Sequence, residues 1–566
     1  MRRAVFVLSP FFDWAFNSTR LYWVLSLICA GLLAFTDRHF MNPDGMSYLD
    51  IALAAANNQL SELANGYWSP GYPALIGVAI WLFRPAPEQE FPIAHFVTFG
   101  AFAFALWSFA FFVRNWRAAI SEMNAEGAAE TDRHFTPLAY STFMYLTFTL
   151  LPVELVCPDI WVSGLVYLVA SLALRAVLPG VGWGNFVSLG LALGAGYYFK
   201  EAMFPAGLTV WAMLFFSPRS LCTVSRPRLL LTLSVFLAIA TPLFVAVSVK
   251  SNRVTFGSAG RLNYGWFVNG LPSIPFGDGT ETGALIEHPV PKLSDRPLML
   301  DLSASTGGTY PLWYDPSFWF RDQTPRFGLR AQMKALWIGL KRYMKILVSS
   351  AWLPLGAVAL ILWIPRSSVG PRPIRKFWWL FSWPLVVCAM YALVWVEGRY
   401  VGGFLVVWWT ALYGLLMLRA GNASGRSSIA WVVICVAVLS CTAGLARVAY
   451  GLARALNRPH PPEYQVVGAA LRQAGLSAGD RVAVVGPGID FYGARCARVQ
   501  IGVQIPFAQE FWRLSTEELR MVWERLHAAG IRVVVAKNRP EYAAPAAWRD
   551  IRLSATSSLS ILLLPP

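Results

Sequence analysis

Apolar runs broken by short polar stretches dominate the chain. Those at 21–35, 93–113, 136–152, 160–178, 184–199, 202–216, 229–249, 346–364, 377–396, 401–418 and 428–447 approach the length that lets an α-helix cross a bilayer, about 20 residues. The pattern predicts eleven spans. A further apolar piece, 71–83, is short for a crossing and reads as an interfacial or re-entrant helix on the outer side.

Basic residues orient these spans. Arg2, Arg3 and Arg20 precede the first run, and Arg114 and Arg117 follow the second. Crossing parity then places Arg133, Arg219, Arg226, Arg228, Arg366, Arg372, Arg375, Lys376, Arg419 and Arg426 on the same side as the N-terminus. The positive-inside rule makes that side cytoplasmic. Among the short outer loops only Lys200 and Arg399 remain as cations.

Two long outer loops, 36–92 and 250–345, interrupt a membrane domain expected over 1–447. The second ends in 326–345, where Phe327, Leu329, Met333, Leu336, Trp337, Leu340 and Met344 alternate with Arg330, Lys334, Lys341 and Arg342. That spacing predicts a basic amphipathic helix lying in the interface. From 448 to 566 the chain turns rich in Arg, Glu and Ala, without a spanning run. Helices are expected at 463–474 and 516–529, the latter with Ser515 and Glu518 at capping-box spacing. Strands are expected at 481–485, 531–536 and 559–564. The fold class is thus mostly α, a polytopic helical membrane domain of about eleven spans with a C-terminal extracytoplasmic α/β domain.

Composition agrees. Of 566 residues, 56% are hydrophobic and 14% charged, against about 25% charged in ordinary soluble domains. A disordered chain, a small soluble enzyme and a disulfide-stapled module are excluded. The net charge of +16 follows the topology and forms no basic stripe on a soluble face, so no nucleic-acid partner is expected; membrane lipids are. The seven cysteines lack C-x-x-C spacing, and a bridge between Cys157 and Cys496 is the one disulfide considered. The turn Gly486-Pro487-Gly488 follows a strand but lacks the third glycine of a dinucleotide site.

Polar groups grouped at span ends are the candidates for chemistry. The first outer loop carries Asp44 in Asn42-Pro43-Asp44-Gly45-Met46-Ser47-Tyr48, followed by Trp68-Ser69-Pro70-Gly71-Tyr72-Pro73. A carboxylate there can take a proton from an acceptor, hold a divalent ion, or simply cap a helix starting at Gly45. Cys157-Pro158-Asp159, with Glu154 nearby, opens the fourth span, and Glu397-Gly398-Arg399-Tyr400 opens the tenth. Lys200 and Arg399 suit an anionic phosphate, Arg399 in bidentate fashion. Glu201 reads as the ion-pair partner of Lys200 or as a substrate contact. The aromatic stretch 310–319, including Tyr314, stacks on sugar rings or anchors the loop to the interface.

The Asp after the first span, the Tyr four residues on, the Trp-Ser-Pro-Gly-Tyr-Pro run, the Pro-Asp at 158–159 and the Arg-Tyr at 399–400 together resemble the glycosyltransferase C superfamily. The likeness is to the protein O-mannosyltransferase and aminoarabinose (lipid A) transferase type and covers about 1–447. Gly45 stands where the mannosyltransferases carry a second acid, a departure that points away from protein O-mannosylation. The resemblance implies a polyprenyl-phosphate sugar donor, an active site at the outer membrane face and Asp44 as the catalytic carboxylate. Glu154 and Asp159 are then expected to support the acceptor or a metal. Lys200 and Arg399 are expected to bind the donor phosphate, with Tyr48, Glu201, Tyr314, Glu397 and Tyr400 as further contacts. No cofactor is certain, with a divalent cation (Mg or Mn) as the one considered.

The function expected is an integral membrane glycosyltransferase of the bacterial plasma membrane, moving a hexose or pentose to a glycan, lipid or protein acceptor with inversion. A lipid-linked glycan polymerase or ligase and a membrane transporter or flippase are the alternatives. The first should depend on loop arginines such as Arg261. The second should carry charge midway through its spans or show inverted repeats.

Overall fold

A computed structural model describes residues 19–123, 128–218, 221, 224–271, 290–303, 307–320, 325–363, 375–418, 423–458, 461–542, 548–554 and 557–564. Helices stand at all eleven expected spans. Six of the described helices, Thr19–Thr36, Pro87–Glu122, Asp159–Ala176, Arg226–Lys250, Gly398–Met417 and Ile429–Leu456, are individually long and apolar enough to cross a membrane. The others are shorter, as in Met203–Phe215 and Trp378–Ala392, or begin polar, as in Ala128–Leu150. The last helix runs on past 447 to Leu456.

Helix Asp159–Ala176 is the most enclosed of the six and packs against Glu90–Met123 and Gly398–Leu418. Small residues let these backbones approach: a Cβ on Gly164 would meet the Phe104 ring at 2.6 Å, and one on Gly403 would meet Ser163 at 2.8 Å. Trp183–Phe199 lies against Arg226–Lys250 through Gly190 and Gly194, four residues apart, which face Thr232, Val235 and Ile239. This is the small-xxx-small logic of membrane helix pairs, where packing replaces the hydrophobic drive.

One expectation needs correction. The span placed at 346–364 is not a straight helix. Leu329–Ser350 is a single 22-residue helix that carries the amphipathic stretch four residues beyond Ile346, and it bends by 74° into Trp352–Trp363.

The C-terminal region holds a seven-stranded sheet among the described residues: β1 Lys292–Asp295, β2 Leu298–Asp301, β3 Arg481–Val485, β4 Gln500–Ile505, β5 Val533–Lys537, β6 Arg549–Arg552 and β7 Ser558–Leu563. Their order is β1-β2-β4-β3-β5-β7-β6. β3 runs parallel to β4 and β5, and the remaining pairs are antiparallel. Strand alternation splits the core in two. Val482, Val484, Val533 and Val535 pack with helix Glu463–Gln473 and the loop aromatics Trp319 and Phe320, whereas Ala483, Val485, Val534 and Ala536 pack with helix Thr516–Ala528. The capping box is formed: Ser515 accepts from the Glu518 amide, while Glu518 accepts from the Ser515 amide at 2.8 Å. Two strands come from the loop 250–345, a contribution the sequence pattern did not announce. β1 and β2 are four residues each, a hairpin that joins the sheet through the pairing of β2 with β4.

Cys157 and Cys496, considered as a bridge, are both buried free thiols, and burial pushes the Cys157 thiol up to about 12. Gly486-Pro487-Gly488 ends β3 as a structural turn, with Gly486 at φ 107° and Gly488 seated against the Tyr310 ring.

Candidate active site

The chain leaves the first span and enters helix Pro43–Ala56, whose N-cap is Asn42. The Asn42 carboxamide is engaged elsewhere, accepting from the Val156 amide at 2.9 Å and tying this helix to the start of Asp159–Ala176. Asp44 therefore is not the N-cap. It sits in the first turn with its carboxylate turned outward, receiving the Trp313 indole Nε1 at 3.2 Å. Asp159, at the first position of its own helix after the cap Pro158, likewise uses its carboxylate across the site.

Five charges from four segments meet here. Lys200 Nζ lies 2.5 Å from Asp159 Oδ1 and 3.8 Å above the Tyr400 ring. Arg399 reaches Asp159 Oδ2 at 3.4 Å and Asp44 Oδ2 at 3.6 Å, and donates from Nε to Glu397 at 2.7 Å. Glu397 also receives Trp395 Nε1 at 3.1 Å. The Asp159 side chain is 2% exposed and the Asp44 side chain 24%, so of the two carboxylates Asp44 is the one presented to a ligand. Burial pushes the Asp44 carboxyl above its usual range, opposed by the Arg399 charge and the Trp313 hydrogen bond.

These residues line a cavity of about 690 Å³. One wall is aromatic: Tyr67, Trp68, Trp266 and Trp313 form a cluster with neighbouring rings 4.5–6.2 Å apart. Another is aliphatic, with Pro205, Met390 and Val394. The cluster sits where the first, fifth and ninth expected spans end and where the fourth and tenth begin, so all of it belongs to one end of the helix bundle.

Of the sequence-predicted residues, Asp44, Tyr48, Asp159, Lys200, Glu201, Glu397, Arg399 and Tyr400 come together on this cavity. Glu154 does not line it; its carboxylate is held by Arg447. Tyr314 also lies off the cavity, with its hydroxyl donating to Glu62 at 2.6 Å, while its neighbour Trp313 faces in. Glu201 is not the partner of Lys200. It accepts from the amides of Ala259 at 2.8 Å and Gly260 at 3.1 Å, capping helix Ala259–Phe267 of the long loop. Burial holds its carboxyl above the usual range against those two bonds.

Asp159 pairs with Lys200 and Arg399, and Asp44 with Arg399 and the Trp313 indole. Among the described residues, no group of three or more His, Cys, Asp or Glu gathers around a point.

Sequence reasoning missed Trp313 as the donor to Asp44 and missed the ion cluster behind the helix. Arg495, from the C-terminal region, is 3% exposed and pairs with Asp50 and with Glu90 at 2.8 Å; Arg498 also pairs with Glu90. Asp50 in turn accepts from the Thr309 amide at 2.7 Å. The one available signal was the chain's placing of two acids, Asp50 and Glu90, beside apolar runs.

Compared with known proteins, the chain matches no family profile and no curated protein. Solved structures do match. ArnT from Cupriavidus metallidurans, an aminoarabinose lipid A transferase, aligns in its apo state over 96% of this chain and 98% of its own, with a TM-score of 0.54 and 14% identity. The chain has the fold of that structure. At this identity the likeness is one of fold. The same ArnT bound to undecaprenyl phosphate aligns over 96% of this chain and 97% of its own, with TM-score 0.51 and 14% identity. The archaeal oligosaccharyltransferase AglB from Archaeoglobus fulgidus, in complex with an inhibitory peptide and a dolichol-phosphate, aligns over 92% of this chain and 69% of its own, with TM-score 0.47 and 12% identity. In this fold, the charge cluster and its cavity occupy the end of the bundle that faces the C-terminal sheet.

Proposed function

We propose that the protein transfers a hexose or pentose from a polyprenyl-phosphate carrier to an acceptor at the outer face of a bacterial plasma membrane, inverting the anomeric configuration. The observation that carries this reading is the partly exposed Asp44 carboxylate beside two cations, Arg399 and Lys200, on one cavity with an aliphatic flank. The ArnT fold, in a structure that holds undecaprenyl phosphate, supports the carrier class.

The acceptor oxygen or nitrogen attacks the anomeric carbon while the bond from that carbon to the phosphate oxygen breaks. The proton goes to Asp44, a stronger base for its raised pKa. The electron pair leaves on the phosphate. Arg399 holds its carboxylate partners Asp44 and Asp159 only loosely, at 3.6 and 3.4 Å, so its fork can turn toward a phosphate and stabilise that charge. Asp159 keeps Lys200 and Arg399 on one side of the cavity, and Glu397 orients Arg399. The wall of Tyr67, Trp68, Trp266 and Trp313 offers faces for a sugar ring, and the aliphatic flank suits the first prenyl units. The acceptor enters beside the C-terminal sheet region.

The test uses purified full-length protein in nanodiscs with a panel of polyprenyl-phosphate sugars, following release of polyprenyl phosphate. Release by the wild type and its loss in a folded Asp44→Asn variant is the expected result. Equal release by both discards Asp44 as the base. A product that retains configuration overturns the single displacement.

A further inference from the structure

Helix Leu329–Ser350 has three distinct faces. Gln332, Ala335, Gly339, Ile346 and Ser350 are buried against the protein. Opposite them, Leu329, Met333, Trp337, Leu340, Met344 and Val348 form one exposed apolar stripe, each more than half exposed. Each of Arg330, Lys334, Lys341 and Lys345 directly follows a member of that stripe, so the cations form a row about 80° around the helix from it. No described carboxylate pairs with this row, and the sequence has no acidic residue between Asp322 and Glu397.

The row excludes a transmembrane course. Positions 330 to 345 spread over about 22 Å of helix axis. Set upright in a hydrocarbon core of about 30 Å, the helix would sink cations where ionised groups are strongly disfavoured. Lying flat, it buries the stripe in acyl chains and lifts the cations to headgroup level, and the 74° bend then turns the chain toward Trp352–Trp363.

The buried face is fastened to the cavity rim. Gln332 donates to the Leu393 carbonyl at 2.8 Å, and Arg342 donates to the Val396 carbonyl at 3.1 Å. The Arg342 guanidinium stacks 3.4 Å from the centre of the Trp395 ring, whose other neighbour is the Phe267 ring at 4.0 Å. Trp395 lines the cavity and donates to Glu397, which holds Arg399.

We propose that helix Leu329–Ser350 is a binding surface for anionic phospholipid headgroups, through Arg330, Lys334, Lys341 and Lys345, and that this contact steadies the Trp395–Glu397–Arg399 side of the cavity. The first half stands on the helix alone; the second rests on the transferase reading.

The test places full-length protein in nanodiscs of phosphatidylcholine with or without phosphatidylglycerol, and counts retained phosphatidylglycerol by native mass spectrometry after extraction. The combined variant R330Q/K334Q/K341Q/K345Q is compared with wild type, and R513Q/R520Q/R532Q, exposed on the C-terminal region, serves as the control. Retention is expected to fall by roughly fivefold per cation removed in the helix variant and to stay at the wild-type level in the control. The lysine-to-arginine variant K334R/K341R/K345R retains lipid as the wild type does, which separates charge from fold. Equal retention by wild type and the glutamine variant overturns the proposal. In parallel, phosphatidylglycerol raises sugar-donor turnover in the wild type and not in the glutamine variant. Turnover indifferent to phosphatidylglycerol in the wild type overturns the coupling. A wild type inactive with every donor strikes the transferase reading, and the retention counts still decide the lipid surface.

Discussion

Trp313 donates its indole proton to Asp44 across 3.2 Å, although 269 residues separate the two along the chain. The carbonyl of the same tryptophan accepts from Ser47 at 2.7 Å and from the Trp68 indole at 3.0 Å. The long loop thereby grips the helix that carries the candidate base, and the grip has measurable consequences.

Asp44→Asn keeps size and hydrogen bonding but removes the base. Donor turnover is expected to fall by about 10²–10⁴-fold, with an unchanged gel-filtration profile. The raised carboxyl also means that the wild-type rate, which needs the ionised form, declines on acidification through a value above the ordinary carboxylate range of about 3.9. A pH–rate profile measures it.

The same shift has an opposite sign for stability. The folded state binds the Asp44 proton more tightly than the unfolded chain, so wild-type stability declines as pH rises from the unfolded value toward the raised folded one. Asp44→Asn lacks that decline. Thermal unfolding between about pH 4 and pH 8 should show the variant gaining on the wild type as pH rises.

Trp313→Phe keeps an aromatic ring and the loop backbone but loses the donor to Asp44. Because that bond lowers the carboxyl's pKa, its removal moves the acid limb of the pH–rate profile to higher pH. An unmoved limb separates Asp44 from the titration.

Arg399→Lys retains a charge but cannot reach Asp44, Asp159 and Glu397 from one planar fork. Turnover should fall by about 10²–10³-fold, the scale for losing one preorganised donor to a developing anion. Steady-state kinetics with a fixed donor give the number.

Arg495→Ala leaves Asp50 and Glu90 buried without their shared guanidinium. Removing one partner of a buried pair costs about 3–5 kcal/mol, and unfolding in detergent should show it. The triple variant R495M/D50N/E90Q, which removes both signs together, should recover much of that loss.

What was legible in the sequence follows from local physics. A helix satisfies its backbone bonds within one segment, as a bilayer requires, so apolar run length announces each membrane helix. A capping box at Ser515 and Glu518, and the valine run of β3, are likewise satisfied by neighbours a few residues away. Asp44, Asp159, Lys200 and Arg399 were visible because a charge at a span end is costly unless it has a use. Which charge meets which was not visible. Lys200 sits next to Glu201 in the chain, yet it pairs with Asp159, because the chain turns after Phe199 and the long loop claims Glu201 for its own amides. Glu154 lies five residues before Asp159 and points to Arg447 instead. Strands β1 and β2, the Trp313 donor and the Arg495 ion cluster all join segments hundreds of residues apart, through contacts that carry no periodic signature. Run length and local spacing were enough to define the membrane helices and the kinds of group at their ends. The partners of those groups came from packing, because ion pairs form between whatever charges the folded chain brings within a few ångströms.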